Sequence, residues 1–261
     1  MYDKVIPLTR NAHGNKRFRP LPDYSFASGQ TLIPFAASEI THLTARLPLA
    51  FMEAGDAGLR PMALLGLDGK NNLLVDANGR WLQDYVPAAI RRYPFLLARN
   101  EQSEGDAANQ ATVAIDEAAD CLSDSEGEPL FTEEGEPGER LQGIIKLLQD
   151  FDGGLQTATR AARRLAEVGV LEDWSPRVEV GDKRWQLKGL QRVNEEALNK
   201  LDAETFAGLR QGGALAIAYA QMLSMSQLAR LVRAARQRQG AAESGNGNSN
   251  PGRDMTFDFN S

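Results

Sequence analysis

The stretch Leu141–Val168, LQGIIKLLQDFDGGLQTATRAARRLAEV, decides the fold class. Apolar residues recur at 141, 144, 145, 148, 151, 155, 158, 162, 165 and 168, the spacing that lines one face of an α-helix. Gly153-Gly154 interrupts the pattern, because glycine is a poor helix former, so the stretch reads as two helices or one broken helix.

On the N-terminal side the period changes. Val5–Leu8, Tyr24–Ala27, Thr31–Phe35, Leu47–Met52, Met62–Leu67, Phe95–Arg99 and Ala111–Asp116 are short apolar or β-prone runs divided by Pro and Gly, and read as strands. Met62–Leu67 and Asn72–Asp76, joined through Asp68-Gly69, form a hairpin candidate. Ser38 and Glu39 suit the start of a short helix that ends before Pro48, and Pro87 suits the first turn of a helix over Val86–Arg92. On the C-terminal side, Val178–Val180 and Trp185–Leu187 flank Gly181-Asp182 as a hairpin. Asn194–Leu201, Ala203–Leu209 and Gly213–Gln237 read as helices. The predicted class is α+β in a single domain, residues 1–239. A strand-rich half (1–136) forms a mostly antiparallel sheet, and a helix-rich half (137–239) packs on it. Residues 240–261 read as a disordered tail, since Gly240–Asp254 is poor in apolar surface to offset ordering. Met255–Phe259 carries the alternation of an edge strand, but an untethered end is the expectation.

Composition excludes several functions. A net charge of −6 argues against nucleic acid as a partner. The single cysteine, Cys121, rules out an internal disulfide framework and a cysteine-based zinc site. No apolar leader opens the chain, so no signal peptide is predicted and a cytoplasmic location is expected. No run reaches the roughly 18 apolar residues of a spanning helix, which points to a soluble protein without a transmembrane segment. Glu101–Glu139 holds thirteen acidic residues and no Lys or Arg, leaving +7 on the rest of the chain. Such a run reads as a solvated acidic loop, with Glu101–Gln110 its most exposed part.

Chemistry-bearing motifs are sparse. The two histidines, His13 and His42, stand in no metal-ligand spacing, and no Walker A, G-x-G-x-x-G or G-x-S-x-G motif occurs. No metal or cofactor is expected. His13 and His42 remain candidate polar residues. The candidate binding set is Trp81, Tyr85, Arg91, Arg92 and Tyr93, because aromatics and arginine dominate recognition surfaces and arginine clamps carboxylates or phosphates. Against this, Trp81 and Phe95 suit the core, and two consecutive arginines point in different directions, so at most one is expected to be buried. Arg230, Arg233, Arg236 and Arg238 follow an apolar face of Leu215, Tyr219, Met222 and Leu223, and complement a helix dipole.

Several blocks carry a resemblance: VIPLTRNAHG (Val5–Gly14), YSFA (Tyr24–Ala27), IPFAASEI (Ile33–Ile40), LPLAF (Leu47–Phe51), LLGLDGKNNLLVDANGRW (Leu64–Trp81) and YVPAAIRRYPF (Tyr85–Phe95). AIDE (Ala114–Glu117), PLFTEEGEP (Pro129–Pro137) and GALAIAYAQMLSMSQL (Gly213–Leu228) follow in order. Over about residues 1–232 the chain resembles the bacterial SapC family. The resemblance implies a role beside bacterial surface-layer systems, and carries over no catalytic or ligand residue. The expected function is an accessory or binding protein, without catalytic signature, serving a cell-surface or envelope system through a protein partner of unassigned identity. The alternative is an enzyme or enzyme partner acting on peptide or amino-acid substrates at a pocket near Arg91 and Arg92.

Overall fold

The computed structural model describes residues 1–55, 58–99, 111–119, 121–181, 183–245 and 254–258. The elements run β1 (Val5–Pro7), α1 (Arg10–His13), β2 (Arg17–Phe18), β3 (Leu32–Pro34), α2 (Ile40–Thr44), β4 (Leu49–Glu53), β5 (Leu59–Leu64), α3 (Ala88–Arg91), β6 (Phe95–Arg99) and β7 (Ala111–Asp116). They continue with β8 (Leu122–Ser123), β9 (Glu128–Pro129), α4 (Glu139–Glu167), β10 (Leu171–Trp174), β11 (Arg177–Val180), β12 (Lys183–Lys188), β13 (Leu190–Val193), α5 (Glu195–Asn199), α6 (Ala203–Gly208), α7 (Ala214–Ser224), α8 (Leu228–Gly245) and β14 (Asp254–Asp258). The fold is α+β, as the change of period near residue 140 predicts.

A five-stranded antiparallel sheet, in the order β10-β13-β4-β5-β3, carries the main core. Leu49, Ala50 and Phe51 of β4 are all buried, so this strand is covered on both faces, with α7 packed on β4 and α4 on its neighbour β5. A second, smaller core joins Phe18, Phe95, Ile115, Cys121 and Leu130 to Leu141 and Leu148 of α4. It is roofed by the sheets β1-β7-β6 and β8-β2-β9. The same helix therefore serves both cores: its first half closes the small one, and Phe151, Ala158, Ala161, Ala162 and Leu165 enter the large one. No helix among the described residues is long and apolar enough to cross a membrane.

The structure corrects several expectations. Gly153-Gly154 does not break the helix: α4 is continuous over 29 residues. A Cβ at Gly154 would stand 2.7 Å from that of Ala36, so glycine is there to let the helix sit on the Ala36–Ser38 loop. Asn72–Asp76 is not the second strand of a hairpin, because β5 pairs with β3 and β4 instead. The Asn72 side chain, fully buried, donates to the Ala27 carbonyl and accepts from the Leu74 N–H, which turns the chain, and only Val75 bridges to Trp81. Tyr24–Ala27 is a single 3-10 turn over Ser25–Ala27, with the Asp23 carboxylate accepting the Ser25 N–H.

The two halves of the chain also share a sheet, since β10 and β13, which the sequence did not suggest, extend it from β4. Gly213–Gln237 splits into α7, a 3-10 turn and α8. At the split the Ser224 hydroxyl donates to the Gln221 carbonyl and accepts the Leu49 N–H, tying α7 to the sheet. The buried face of α7 is Ala214, Ile217, Ala218, Ala220, Gln221 and Ser224, whereas Tyr219 and Leu223 face solvent. Arg230, Arg236 and Arg238 donate to the carbonyls of Ala45, Glu179 and Asn72, so they are tethers to the body of the protein rather than dipole partners.

Within residues 240–261, read as a disordered tail, α8 continues to Gly245 and Asp254–Asp258 pairs in parallel with β12, and residues 246–253 and 259–261 lie outside the described residues. The open edge of β12 offers unpaired backbone groups that an extended segment satisfies. Glu101–Gln110, expected to be the most exposed part of the acidic run, lies outside the described residues. Elsewhere the run folds, as β7, β8 and β9, against the N-terminal arm.

Candidate functional site

The loop from Trp81 to Phe95 is held by two buried carboxylates. Glu39, at the end of a 3-10 turn, accepts the Tyr85 hydroxyl at 2.6 Å and the Ala88 N–H at 2.7 Å, so it satisfies the first free donor of α3. Burial and the Glu39 carboxylate push the Tyr85 phenol up to about 12. Asp116, at the end of β7, accepts the N–H groups of Asp3, Lys4 and Ala118 and the Tyr93 hydroxyl. Burial raises the Asp116 carboxyl, but those donors outweigh it and hold it below the usual aspartate value. Burial, with the Asp116 charge, raises the Tyr93 phenol. Tyr93 also stacks on Phe26, with ring centroids 4.2 Å apart.

These anchors place Arg91 and Arg92 beside α4. Arg91 is exposed, and its Nε donates to the Val86 carbonyl at 2.9 Å. Arg92 is half-buried, with its guanidinium 4.8 Å from the centroid of Phe151 and 5.9 Å from that of Tyr2. Its Nε is buried and has no hydrogen-bond partner among the described residues.

Two clefts meet at this side chain. The first, about 620 Å³, is lined by Phe18, Arg91, Arg92, Tyr93, Arg140 and Ile144 among others, and by the carboxylates Glu128 and Glu139. The second, about 690 Å³, runs along α4 past Leu148, Phe151, Leu155, Thr159, Arg160 and Arg163, and across from these lie Pro34, Arg60, Leu96 and Leu97. Both volumes fall in the range of small-molecule sites.

Of the candidate set, the fold brings together Arg91, Arg92 and Tyr93 on the first cleft. Trp81 and Tyr85 line neither of the two clefts. Trp81 is in the core, its indole N–H donating to the Tyr85 carbonyl at 2.9 Å, and Phe95 is buried in the small core. Tyr85 is sandwiched near the surface, stacked on His42 and flanked by Arg46 and Arg91. His13 is buried; its Nδ1 lies 3.2 Å from the Thr9 amide nitrogen and 3.1 Å from the Thr9 carbonyl oxygen, and its Nε2 has no partner among the described residues. It lines a separate cleft of about 350 Å³ with Lys16 and Glu117. Neither histidine lines the cleft that Arg91 lines. Among the described residues no group of three or more His, Cys, Asp or Glu is placed to hold a metal ion.

Sequence reading missed Arg60, Arg160 and Arg163. For the last two a signal exists: they follow the apolar stripe of α4 at helical spacing, on the flank that also carries Asp152, Gln156 and Thr159. Arg60 joins them only through the tertiary fold.

No curated protein matches the chain. No solved structure matches it either. A family model for SapC matches residues 8–231, which takes in all of α4 and every residue of the two clefts, and the chain thus belongs to the SapC family.

Proposed function

We propose that this SapC-family chain is a binding protein, accessory to a cell-surface or envelope system, that engages an anionic group at the two clefts flanking Arg92. The observation that carries the reading is Arg92 itself. A half-buried guanidinium forms a wall of both clefts, and its Nε is left without a protein acceptor among the described residues. A buried donor without a partner costs about 1–3 kcal/mol, and a carboxylate or phosphate entering either cleft relieves that cost. The planar fork of arginine matches both groups. Separation of the histidines from Arg91 supports binding over acid–base chemistry on a peptide, because a general base must reach the bound group. The envelope link rests on the family resemblance alone.

The test is affinity purification of the tagged protein from its native cell, beside the Arg92→Gln variant, with proteins and small molecules both identified. An envelope component retained by the wild type and lost with Arg92→Gln is the expected outcome. Equal retention by both variants overturns the site, and a partner set without envelope components overturns the assignment to a surface system.

A further inference from the structure

We infer that the second cleft takes an elongated ligand that is anionic at both ends and apolar between, a long-chain dicarboxylate or a molecule of that chemistry. This rests on the reading of Arg92 as an anion contact, and adds the class of ligand. The lining residues of α4 run from Leu148 through Phe151 and Leu155 to Arg160 and Arg163 over about half of its circumference, with Phe151 and Arg160 at the two edges of that strip. Arg92 stacks on Phe151 and so marks one end of the groove. Arg60, Arg160 and Arg163 mark the other. Nine to twelve helical residues separate Phe151 from Arg160 and Arg163, an offset of about 14–18 Å along the helix axis at about 1.5 Å per residue.

The apolar walls are Leu96, Leu97 and, on α4 between Phe151 and Arg160, Leu155, with Leu148 just beyond the Arg92 end. Leu97 packs on the small core and Leu155 on the large one, whereas half-buried Leu96 packs on neither. The groove is the seam between the two cores, which leaves apolar side chains to be covered from outside. Charge supports the assignment. Four arginines line a groove on a chain of net charge −6. Arg60 and Arg92 make no ion pair among the described residues. Asp152, the one carboxylate on the lining, accepts the Gln156 amide at 2.7 Å.

The experiment is isothermal titration of the full chain with α,ω-dicarboxylates from octanedioate to hexadecanedioate, with dodecanoate and the bis-quaternary cation decamethonium as controls. Affinity is expected to rise about fourfold per added methylene until the carboxylates span the two cationic ends. Dodecanoate should bind about tenfold or more weakly than the diacid of equal length, since it forfeits one charge-assisted contact, and decamethonium should give no heat. Arg92→Gln and the exposed Arg160→Glu should each weaken the best diacid about tenfold or more. If Arg92→Gln fails to fold, Arg160→Glu carries the test alone, since its side chain lies on the surface of α4. Absence of binding by every diacid, equal affinity for dodecanoate, or wild-type affinity in the folded variants each overturns the ligand class. Should that class fall while partner retention still depends on Arg92, the binding function stands with a different ligand. Should both fail, the function itself falls.

Discussion

The large and small cores are held in different ways. The large one places β4 in the middle of a five-stranded sheet, with α4 and α7 over it, and Leu49, Ala50 and Phe51 lose essentially all contact with water. Its stability comes from apolar burial. The small one has fewer buried side chains, several strands of only two or three residues beside the longer β6 and β7, and an N-terminal arm fixed through polar groups. Asp116 holds the arm by two backbone N–H groups, and Lys4, Lys16 and Arg19 pair with Glu117, Asp124 and Glu126. The acidic run is thus not merely a solubilising surface: its folded part is the counter-charge of a basic arm. Apolar truncation should act mainly on one region, and changes of charge or pH mainly on the other.

The largest effect tests whether the cores are separable. Phe51→Ala removes a fully buried ring from the centre of the main sheet, and should cost about 3–5 kcal/mol with loss of the whole fold. Phe95→Ala removes a ring of similar burial from the small core. It should open β1, β2 and β6–β9 first, with amide-exchange protection retained in β4 and β13. If Phe95→Ala melts both regions in one step, α4 couples them into a single cooperative unit and the distinction fails.

The next effect belongs to the small core. Asp116→Asn preserves size but loses the charge that three backbone donors and a phenol engage, and should cost about 1–3 kcal/mol. The carboxyl is held below its unfolded value of about 3.9. Its contribution is therefore fully present above that pH and is lost as pH falls through the lower, folded value. Acid should release the arm of the wild type before it disturbs the main sheet, and the asparagine variant should lose that pH dependence. Limited proteolysis of residues 1–20 as pH is lowered reads this directly. An arm equally protected in both proteins throughout removes Asp116 as its anchor.

What the sequence disclosed follows the range of the forces involved. The stripe from Leu141 to Val168 predicts a helix because side chains three and four apart share a face, and that is a local rule. The strands at Phe95–Arg99 and Ala111–Asp116 and the hairpin at Arg177–Lys188 were equally legible. Asn72 was not, since its buried side chain turns the chain by reaching the Ala27 carbonyl 45 residues away. β10 and β13 were missed because Leu171–Trp174 mixes acidic and apolar residues, and its strand form depends on pairing across the sheet. For the site, Arg91, Arg92 and Tyr93 stood out as a dense cluster of recognition residues. Arg60 did not, because a lone arginine acquires meaning only from what the fold sets opposite it.

Gly153 and Gly154 refine the account of the helix that joins the cores. Both sit inside α4, where alanine is the better helix former by about 1 kcal/mol. A Cβ at Gly153 meets nothing within 4 Å, so Gly153→Ala should stabilise the protein by about 0.5–1 kcal/mol. At Gly154 the added carbon stands 2.7 Å from the Ala36 Cβ and 3.2 Å from the Ser38 hydroxyl. Gly154→Ala should therefore lose that gain and destabilise, by pushing the Ala36–Ser38 loop off the helix. Thermal melts of the two variants decide it, and stabilisation in both would mean that the loop yields freely.

The smallest effect concerns the exposed ion pairs of the small lobe. Lys16–Asp124, at 2.7 Å, and Arg19–Glu126, at 3.3 Å, join β2 and its flanks to the loop after β8, and both acidic partners are well exposed. Pairs of this kind contribute about 0–1 kcal/mol each, because water competes for both ions and two long side chains lose freedom. Lys16→Gln with Arg19→Gln should lower the stability of the small lobe by less than the single change at Asp116, and raising the salt concentration should reproduce most of that loss in the wild type. Phe18, on β2 itself, stays packed against Phe95 in either case, with ring centroids 5.3 Å apart. A double variant that frees the arm as completely as Asp116→Asn would mean that surface charge, rather than the one buried carboxylate, holds the small lobe together.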